Sequence, residues 1–456
     1  MQTNVIILAA GEGKRMMSDT PKGLHPLLGR PMAGWVIQAV QAIDSKPVMV
    51  VGHQGDLLQK SLGTDIRYVW QKEQLGTGHA SRMALPLLAD DTLVLITAVD
   101  MPLVRAESYA LLVEAVDQGA QAALLTAVVP RPGQMGRILR DATGAVTGIV
   151  EYKDATDTQR QIAEVNSGVY CFRAADLHRL LPALGNNNQQ GEFYLTDMVA
   201  LLVQEEHQVT ACVVDHQEIL GCNQRVELSL AGAALRERIN EQHMLQGVTI
   251  IDPMSTWIDP QVVIGRDTVI YPNNHLQGNT VVGCNVELLP GNRIQNSRLG
   301  DGVRCESSVV LSAVVGKNTT IGPFAYLRPD AVIGENARIG DFVEIKNATV
   351  GDHSKVSHLS YLGDGEIGEH TNIGCGVVFS NYDGHDKSRT VVGDRAFIGC
   401  NTNLVAPVTV QDDAYVAAGS TITDDVPQGA LSIARARQVN KEGWVEKRRR
   451  RWQNTP

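Results

Sequence analysis

The stretch Ile333-Gly334-Glu335-Asn336-Ala337-Arg338-Ile339-Gly340-Asp341-Phe342-Val343-Glu344-Ile345 places an aliphatic residue at every sixth position. The same spacing extends to both sides. Upstream it runs through Ile264, Ile270, Leu276, Val282, Leu288 and Ile294, then through Val303, Val309, Val315, Ile321 and Leu327 into the quoted stretch. Downstream, after small shifts, it resumes at Val350, Val356 and Leu362, then at Ile367, Ile373 and Phe379, and last from Val392 through Ile398, Leu404, Val410 and Val416 to Ile422. A helix repeats at 3.6 residues and a strand at 2, so neither yields a strict six. A triangular coil does, with three short strands per turn and one aliphatic side chain from each on the axis. Val262 to Ile422 is therefore expected to be a parallel β-helix of hexapeptide repeats. Glycine often follows the apolar residue, and the turns favour Gly and Asn, which tolerate unusual backbone angles. The polar segment Ser380–Arg389 breaks the period and is expected to leave the coil as a loop. It is either an insertion on a binding face or a neutral surface loop.

Working outward, 456 residues are too many for one ordinary core. The first 220 or so residues alternate short apolar strands with amphipathic helical patterns, the signature of an α/β layered domain. Val5-Ile6-Ile7-Leu8, Val48-Met49-Val50-Val51 and Leu93-Val94-Leu95-Ile96 read as strands, and Met32, Trp35, Val36, Ala39 and Val40 share one helical face. Gln224 to Gln246 reads as a connecting helix. The expected domains are 1–223, a linking helix at 224–248, and 249–456. A net charge of −10 argues against nucleic acid as a partner, so anionic substrates would need local cations. The basic run Lys447–Arg451 is either a solvated mobile tail or a phosphate-attracting arm. No apolar run reaches the roughly 18 residues needed to span a bilayer, and the N-terminus has no secretory pattern. Seven cysteines, an odd number at scattered positions, read as reduced thiols. A cytoplasmic protein without a membrane partner is expected.

The first strand runs directly into Leu8-Ala9-Ala10-Gly11-Glu12-Gly13-Lys14-Arg15-Met16. Glycines after a strand let backbone N–H groups approach phosphate oxygens, and Arg15 and Lys22 add cations. The dinucleotide fingerprint fails because its third glycine would fall at Met16, and no Gly-Lys-Ser/Thr completes a P-loop. By itself this could equally be a structural turn. Asp100 lies just beyond the strand ending near Thr97, at the edge where ligands of open α/β sheets bind. There it can act as a turn residue or hold Mg²⁺ against phosphates. Gln71-Lys72-Glu73-Gln74-Leu75-Gly76-Thr77-Gly78 supplies amides for a nucleobase. Together these favour a nucleotide-handling site.

These motifs, with Pro21-Lys22, Gln74–Ala80, Asn186-Asn187-Asn188, Gly191–Asp197 and the hexapeptide half, resemble one family over nearly the whole chain. It is the bacterial bifunctional N-acetylglucosamine-1-phosphate uridyltransferase / glucosamine-1-phosphate N-acetyltransferase. The resemblance implies a Rossmann-like nucleotidyltransferase domain followed by a left-handed parallel β-helix. It implies that Leu8, Ala9, Ala10 and Gly11 contact the uridine nucleotide and that Lys22, with Arg15, meets the phosphates. Gln71, Gly76 and Thr77 match uracil recognition; Gly136, Glu151 and Asn166 match the amino-sugar and ribose positions. Asp100 and Asn223 match the Mg²⁺ pair, Asn223 being also part of the nucleotide site. The chain departs from the family at Ala98-Val99, where Tyr-Gly is usual, and at Gly23 after Lys22.

In the repeat half the implied chemistry is amide formation from a sugar amine and a thioester. That requires a base working near neutral pH, for which His358 is the candidate. It also requires cations on the sugar phosphate, for which Arg328, Lys346 and Lys387 serve, and a donor for the oxyanion near Asn372. Tyr361 completes the acceptor set by resemblance. Resemblance also assigns acetyl-CoA, the co-substrate, to Asn381, Tyr382, Ala418 and Arg435, with Cys375 and Cys400 at positions normally Ala and Ser. The implied substrates are glucosamine-1-phosphate, acetyl-CoA and UTP, and the implied assembly is a homotrimer. Two rivals stand beside this reading. One is a nucleotidyltransferase alone, with the β-helix as an assembly scaffold. The other is a non-enzymatic sugar-nucleotide-binding scaffold.

Overall fold

A computed structural model describes residues 1–453. The chain forms two units, Met1–Arg238 and Ile239 onward, and the division falls inside the helix Arg225–Leu245.

The first unit is built on a twisted sheet in the order Val209–Val213, Ala122–Val128, Glu164–Arg173, Leu93–Ala98, Thr3–Ala9, Val48–Val51, Arg67–Trp70. Only Glu164–Arg173 runs antiparallel to its neighbours on this path. Successive side chains of a strand face opposite sides. Val5 and Ile7 thus join one apolar layer with Met49, Leu95 and Val36, while Ile6 joins the other with Val48, Val94 and Leu177. With both faces covered, the strands read as continuous apolar runs rather than alternation. The helix Met32–Val40 forms as expected and buries Met32, Val36 and Val40. Leu8 pairs with Ala98. The Gly11 turn and Asp100 therefore leave the sheet side by side, at its carboxyl edge.

The second unit is a parallel β-helix with three faces. Ile258 pairs with Leu276 and Leu276 with Ile294, eighteen residues per coil. The other two faces repeat through Ile264–Val282 and Ile270–Leu288. Residues such as Leu288, Ile339, Ile345 and Val416 are fully buried on the axis, each worth about 1.5–3 kcal/mol in apolar burial. Each coil touches only its neighbours, so this stabilisation accumulates along the axis.

The expected register is wrong at two positions. Leu299, Cys305 and Val310 are the inward residues, whereas Val309 lies half-buried on the strand flank. Val303 is buried, but it precedes the strand Arg304–Cys305. The pair Ile294–Val310 is sixteen residues apart, so the turns here are shorter, and the doublets Val309-Val310 and Val314-Val315 let a six-residue count run through the shift. The glycine after an inward residue has a different cause from the one expected. A Cβ on Gly340 would lie 2.0 Å from the Ser357 carbonyl oxygen of the next coil, so close approach of the coils excludes a side chain. The left-handed corners are held instead by residues such as Asn318, Asn336, His353 and His370.

Ser380–Arg389 leaves the coil as expected. Phe379 pairs with Leu404, and Tyr382 forms an antiparallel bridge with Lys387. The basic run lies in the solvent-exposed helix Trp444–Gln453, with Arg448 5.0 Å from the Trp444 ring centroid and 5.1 Å from that of Trp452. Among the described residues, no helix is long and apolar enough to cross a membrane.

Candidate active sites

At the carboxyl edge of the first unit lies a cavity of about 400 Å³, lined by Leu8 to Gly11, Lys22, Gln71, Gly76, Thr77, Asp100, Glu151 and Asn166. The remaining expected residues stand next to it. Arg15 donates to Asn223 Oδ1 at 2.8 Å. The Gly136 carbonyl accepts from Asn166 N at 2.9 Å, and a Cβ on Gly136 would lie 3.4 Å from Glu151 Oε1.

The nucleobase segment is fixed by its own turn. Gly76 has φ +108° and a Cβ there would meet the Phe193 carbonyl oxygen at 2.6 Å, so only glycine fits. Buried Gln71 donates Nε2 to the Gly76 carbonyl at 3.3 Å and meets His79 Nδ1 at 2.9 Å, which fixes its amide. Thr77 Oγ1 accepts from Leu195 N at 3.1 Å, bringing Gly191–Asp197 against this segment.

Lys22 Nζ donates to the Asp100 carboxylate and, at 2.9 Å, to Asn223 Oδ1. The two expected metal ligands, 123 positions apart in the chain, thus converge on one cationic group. Both are hard oxygen donors, and Mg²⁺ binds through one or two such protein groups plus phosphates and water. The donor set therefore fits. Among the described residues no group of three or more His, Cys, Asp or Glu forms a metal cluster. Neighbouring Cys222 is no nucleophile, because burial and then Asp100 push its thiol up to about 12. Burial, followed by Asp154 and Asp197, raises the Glu151 carboxyl above its ordinary value.

Sequence reading missed Tyr170, whose hydroxyl accepts from Asn166 Nδ2 at 2.6 Å. Sequence parity did not reveal it, because the strand register shifts between Asn166 and Tyr170.

In the second unit the coil geometry assembles a corner. Asp341, His358, Cys375, Cys400 and Ala418 each stand two residues after an inward side chain. Backbone bonds tie the column together: Leu359 N to the Asp341 carbonyl at 3.0 Å, Gly376 N to that of His358 at 3.2 Å, Asn401 N to that of Cys375 at 2.7 Å, and Gly419 N to that of Cys400 at 2.8 Å. Arg435 continues it, its Cδ being 3.8 Å from where a Gly419 Cβ would stand. Cys400 is exposed and Cys375 half-buried.

His358 Nδ1 lies 2.5 Å from Asp341 Oδ1, and this bond holds the Asp341 carboxyl below the usual carboxylate range. Beyond the corner, Glu344 is in register with Tyr361 and Lys346 with Gly363. Arg328 Nη1 donates to Glu344 Oε1 at 2.8 Å. The Lys387 ammonium, carried in by the loop, pushes Lys346 below the usual lysine range. Asp364 accepts from Asn347 Nδ2 at 2.6 Å and from Asn381 Nδ2. A Cβ on Gly363 would collide with the Tyr361 hydroxyl oxygen and with Asn381 Nδ2. Arg328, Lys346, Lys387, Tyr361 and Asn381 thus share one patch. Tyr382 lies exposed on the loop. Asn372 does not join the corner: it stands on the adjoining face, in register with Lys355. Asp341, Glu344 and Asp364 were missed because only the coil length shows what they touch.

Residues 5–190 match the MobA-like NTP transferase domain, and residues 312–347 the bacterial transferase hexapeptide of six repeats. Fold and matches define a two-part transferase, with a Rossmann-like nucleotidyltransferase half and a left-handed β-helix of hexapeptide repeats. Curated relatives named bifunctional protein GlmU match along the full length. The one from Clostridium acetobutylicum is 48% identical over 97% of this chain and 98% of its own. Those from Caldanaerobacter subterraneus subsp. tengcongensis and Clostridioides difficile are 49% and 47% identical, over 97% and 98% of both chains. The chain belongs to the bifunctional GlmU family.

Proposed function

We propose that the protein acetylates glucosamine-1-phosphate from acetyl-CoA at the β-helix corner, then transfers uridylyl from UTP to the product at the cavity of the first unit. It is a two-activity transferase of UDP-N-acetylglucosamine synthesis. One observation carries acetyl transfer: a His–Asp pair on a corner adjoining the cation patch of Arg328, Lys346 and Lys387. A bare scaffold does not require it.

In acetyl transfer, an ionised carboxylate only accepts, so Asp341 keeps the hydrogen on His358 Nδ1 and leaves the Nε2 lone pair free. Nε2 takes the amine proton as nitrogen attacks the thioester carbon, and the CoA thiolate departs. Arg328, Lys346 and Lys387 neutralise the sugar phosphate. Tyr361 borders the acceptor. The column Cys375, Cys400, Ala418 and Arg435, with Asn381 and Tyr382 on the loop, is the proposed acetyl-CoA track. Asn372, off this corner, is proposed as an oxyanion donor acting from the adjoining face.

In uridylyl transfer, the sugar phosphate oxygen attacks the α-phosphorus in line and pyrophosphate leaves, a step governed by positioning and charge neutralisation. The turn Leu8 to Gly11 approaches the nucleotide, Gln71, Gly76 and Thr77 read the base, and Gly136, Glu151 and Asn166 hold sugar and ribose. Lys22 and Arg15 offset charge building on the phosphates. Asp100 and Asn223 are proposed to hold Mg²⁺, which neutralises phosphate charge when bound.

The proposed domain limits are 1–223, 224–248 and 249–456. A homotrimer is proposed as the assembly. Exposed Phe324 and Phe342, stacked at 5.4 Å, and Leu359 form an apolar stripe beside the His358 column that a second copy would cover. Light scattering should return three chains. The free thiols fit a cytoplasmic enzyme.

The test supplies glucosamine-1-phosphate, acetyl-CoA, UTP and Mg²⁺ and follows free CoA and pyrophosphate separately. His358→Ala should abolish CoA release and spare pyrophosphate release from supplied N-acetylglucosamine-1-phosphate; Asp100→Ala should do the converse. Pyrophosphate without CoA from the parent protein would leave only a nucleotidyltransferase. Release of neither would sink both activities.

A further inference from the structure

Lys22 and Asp100 are joined by a hydrogen bond, and the residues following and preceding them, Gly23 and Val99, meet as well. A Cβ on Gly23 would lie 2.8 Å from Val99 Cγ2 and 3.3 Å from both Ala33 Cβ and Leu58 Cδ2. Gly23 sits in the short 3₁₀ turn Lys22–Leu24 and has no left-handed φ. Its backbone would therefore accept any L residue, and what excludes a side chain is the Val99 methyl. Val99 is 6% exposed and packs in the core cluster with Ala33, Leu58 and Met101. Its backbone N–H donates to the Leu8 carbonyl at 2.9 Å, so the residue is held at the sheet edge from both ends.

We propose that Val99 is a positioning residue that sets Lys22 against Asp100 by filling the space over Gly23. The inference rests on the reading of Lys22 and Asp100 as uridylyl-transfer groups. The two departures from the family pattern, valine before the aspartate and glycine after the lysine, are then one change seen from two sides. The valine adds volume where the glycine has given it up. Both residues border the cavity, and the Val99 side chain also packs into the core beneath the turn. The polar pair needs this support because the lysine stem is long and rotamer-rich. Only the backbone at 22 and 23 fixes where its ammonium starts. A backbone displacement of about 1 Å at such a site can cost on the order of 100-fold in rate.

The test is a cycle of Gly23→Val, Val99→Gly and the double variant, measured on the full chain with Lys22→Ala alongside. Pyrophosphate release is followed as kcat and KM for UTP and against Mg²⁺ concentration. CoA release reports an intact second unit, and circular dichroism an intact first. Gly23→Val should lower kcat/KM by about 10- to 100-fold and raise the Mg²⁺ concentration needed for half-maximal rate. The double variant should recover to within about threefold of the parent. If Gly23→Val proves unfolded, Gly23→Ala, whose single Cβ makes the 2.8 Å contact its tightest, carries the same expectation with a smaller loss. Gly23→Val within twofold of the parent, or a double variant no better than Gly23→Val, overturns the pairing while a dead Lys22→Ala leaves the site standing. An active Lys22→Ala removes the site reading and the pairing with it.

Discussion

Asp341→Ala isolates what an orienting carboxylate contributes to acetyl transfer. Asp341 Oδ1 stands 2.5 Å from His358 Nδ1, and its carboxyl is held below the usual range by that bond, so it is charged at neutral pH. Among the described residues it is the one hydrogen-bond partner of the imidazole. The His358 side chain is 50% exposed, so packing does little to hold the ring. Without Asp341 the ring distributes over two neutral tautomers and up to three staggered χ1 wells. With equal populations, roughly one state in six keeps Nε2 free and aimed at the amine. The expected loss in kcat/KM for CoA release is therefore roughly sixfold to tenfold. His358→Ala, which removes the base itself, should cost roughly 100- to 10,000-fold. Asp341→Asn retains an acceptor oxygen and should fall between the parent and Asp341→Ala. CoA is quantified chromatographically at limiting glucosamine-1-phosphate, with pyrophosphate release as the control for the other site. A change below twofold would refute the orienting role. A loss as deep as that of His358→Ala would mean that Asp341 does more than orient.

Glu151 binds its proton more readily in the folded chain, so its contribution favours folding at low pH and is lost as pH rises through the raised value. Glu151→Gln should raise the Tm of the first unit at pH 7, by a margin that shrinks as pH falls toward the ordinary carboxylate range. It should also raise KM for N-acetylglucosamine-1-phosphate, and calorimetry showing a lower Tm at pH 7 would contradict the sign. Exposed Cys400 should be alkylated by iodoacetamide with loss of CoA release. Saturating acetyl-CoA should slow the labelling, as read by mass spectrometry, and equal labelling with and without it would remove Cys400 from the donor track. Ile345 is fully buried on the axis between Glu344 and Lys346. Ile345→Ala should cost about 2–5 kcal/mol in denaturant unfolding of the second unit and abolish acetyl transfer, while pyrophosphate release persists.

The β-helix was legible because a triangular coil turns one side chain inward per strand, and the six-residue count follows from that geometry. The count failed where the turns shortened. At Val309-Val310 either residue satisfies an aliphatic pattern, and only pairing with Ile294 shows which one is inward. In the first unit, the Gly11 turn and Asp100 were legible because each adjoins a strand end. Tyr170 and the Gly23–Val99 contact were not, because hydrophobic pattern alone does not say which buried side chain faces a ligand and which supports one that does.

The repeat half also shows why its chemistry was harder to read than its shape. Asp341 and His358 are seventeen residues apart, a separation with no meaning in a helix or a hairpin. In a coil of this length it is one step along the axis. The same step carries His358 to Cys375. The next coil, lengthened by the loop after Phe379, carries Cys375 to Cys400, and a regular coil then reaches Ala418. An insertion between coils thus changes the spacing in sequence without displacing the column in space. It also adds Asn381 and Lys387 to the cation patch at that level. A search for acids one coil before His358 would have found Asp341, and counting from inward residues would have aligned both cysteines with the histidine. The loop that interrupts the pattern therefore brings a cation and an amide to the column without breaking it. That is why the period had to be recovered coil by coil before its polar residues could be assigned to one site.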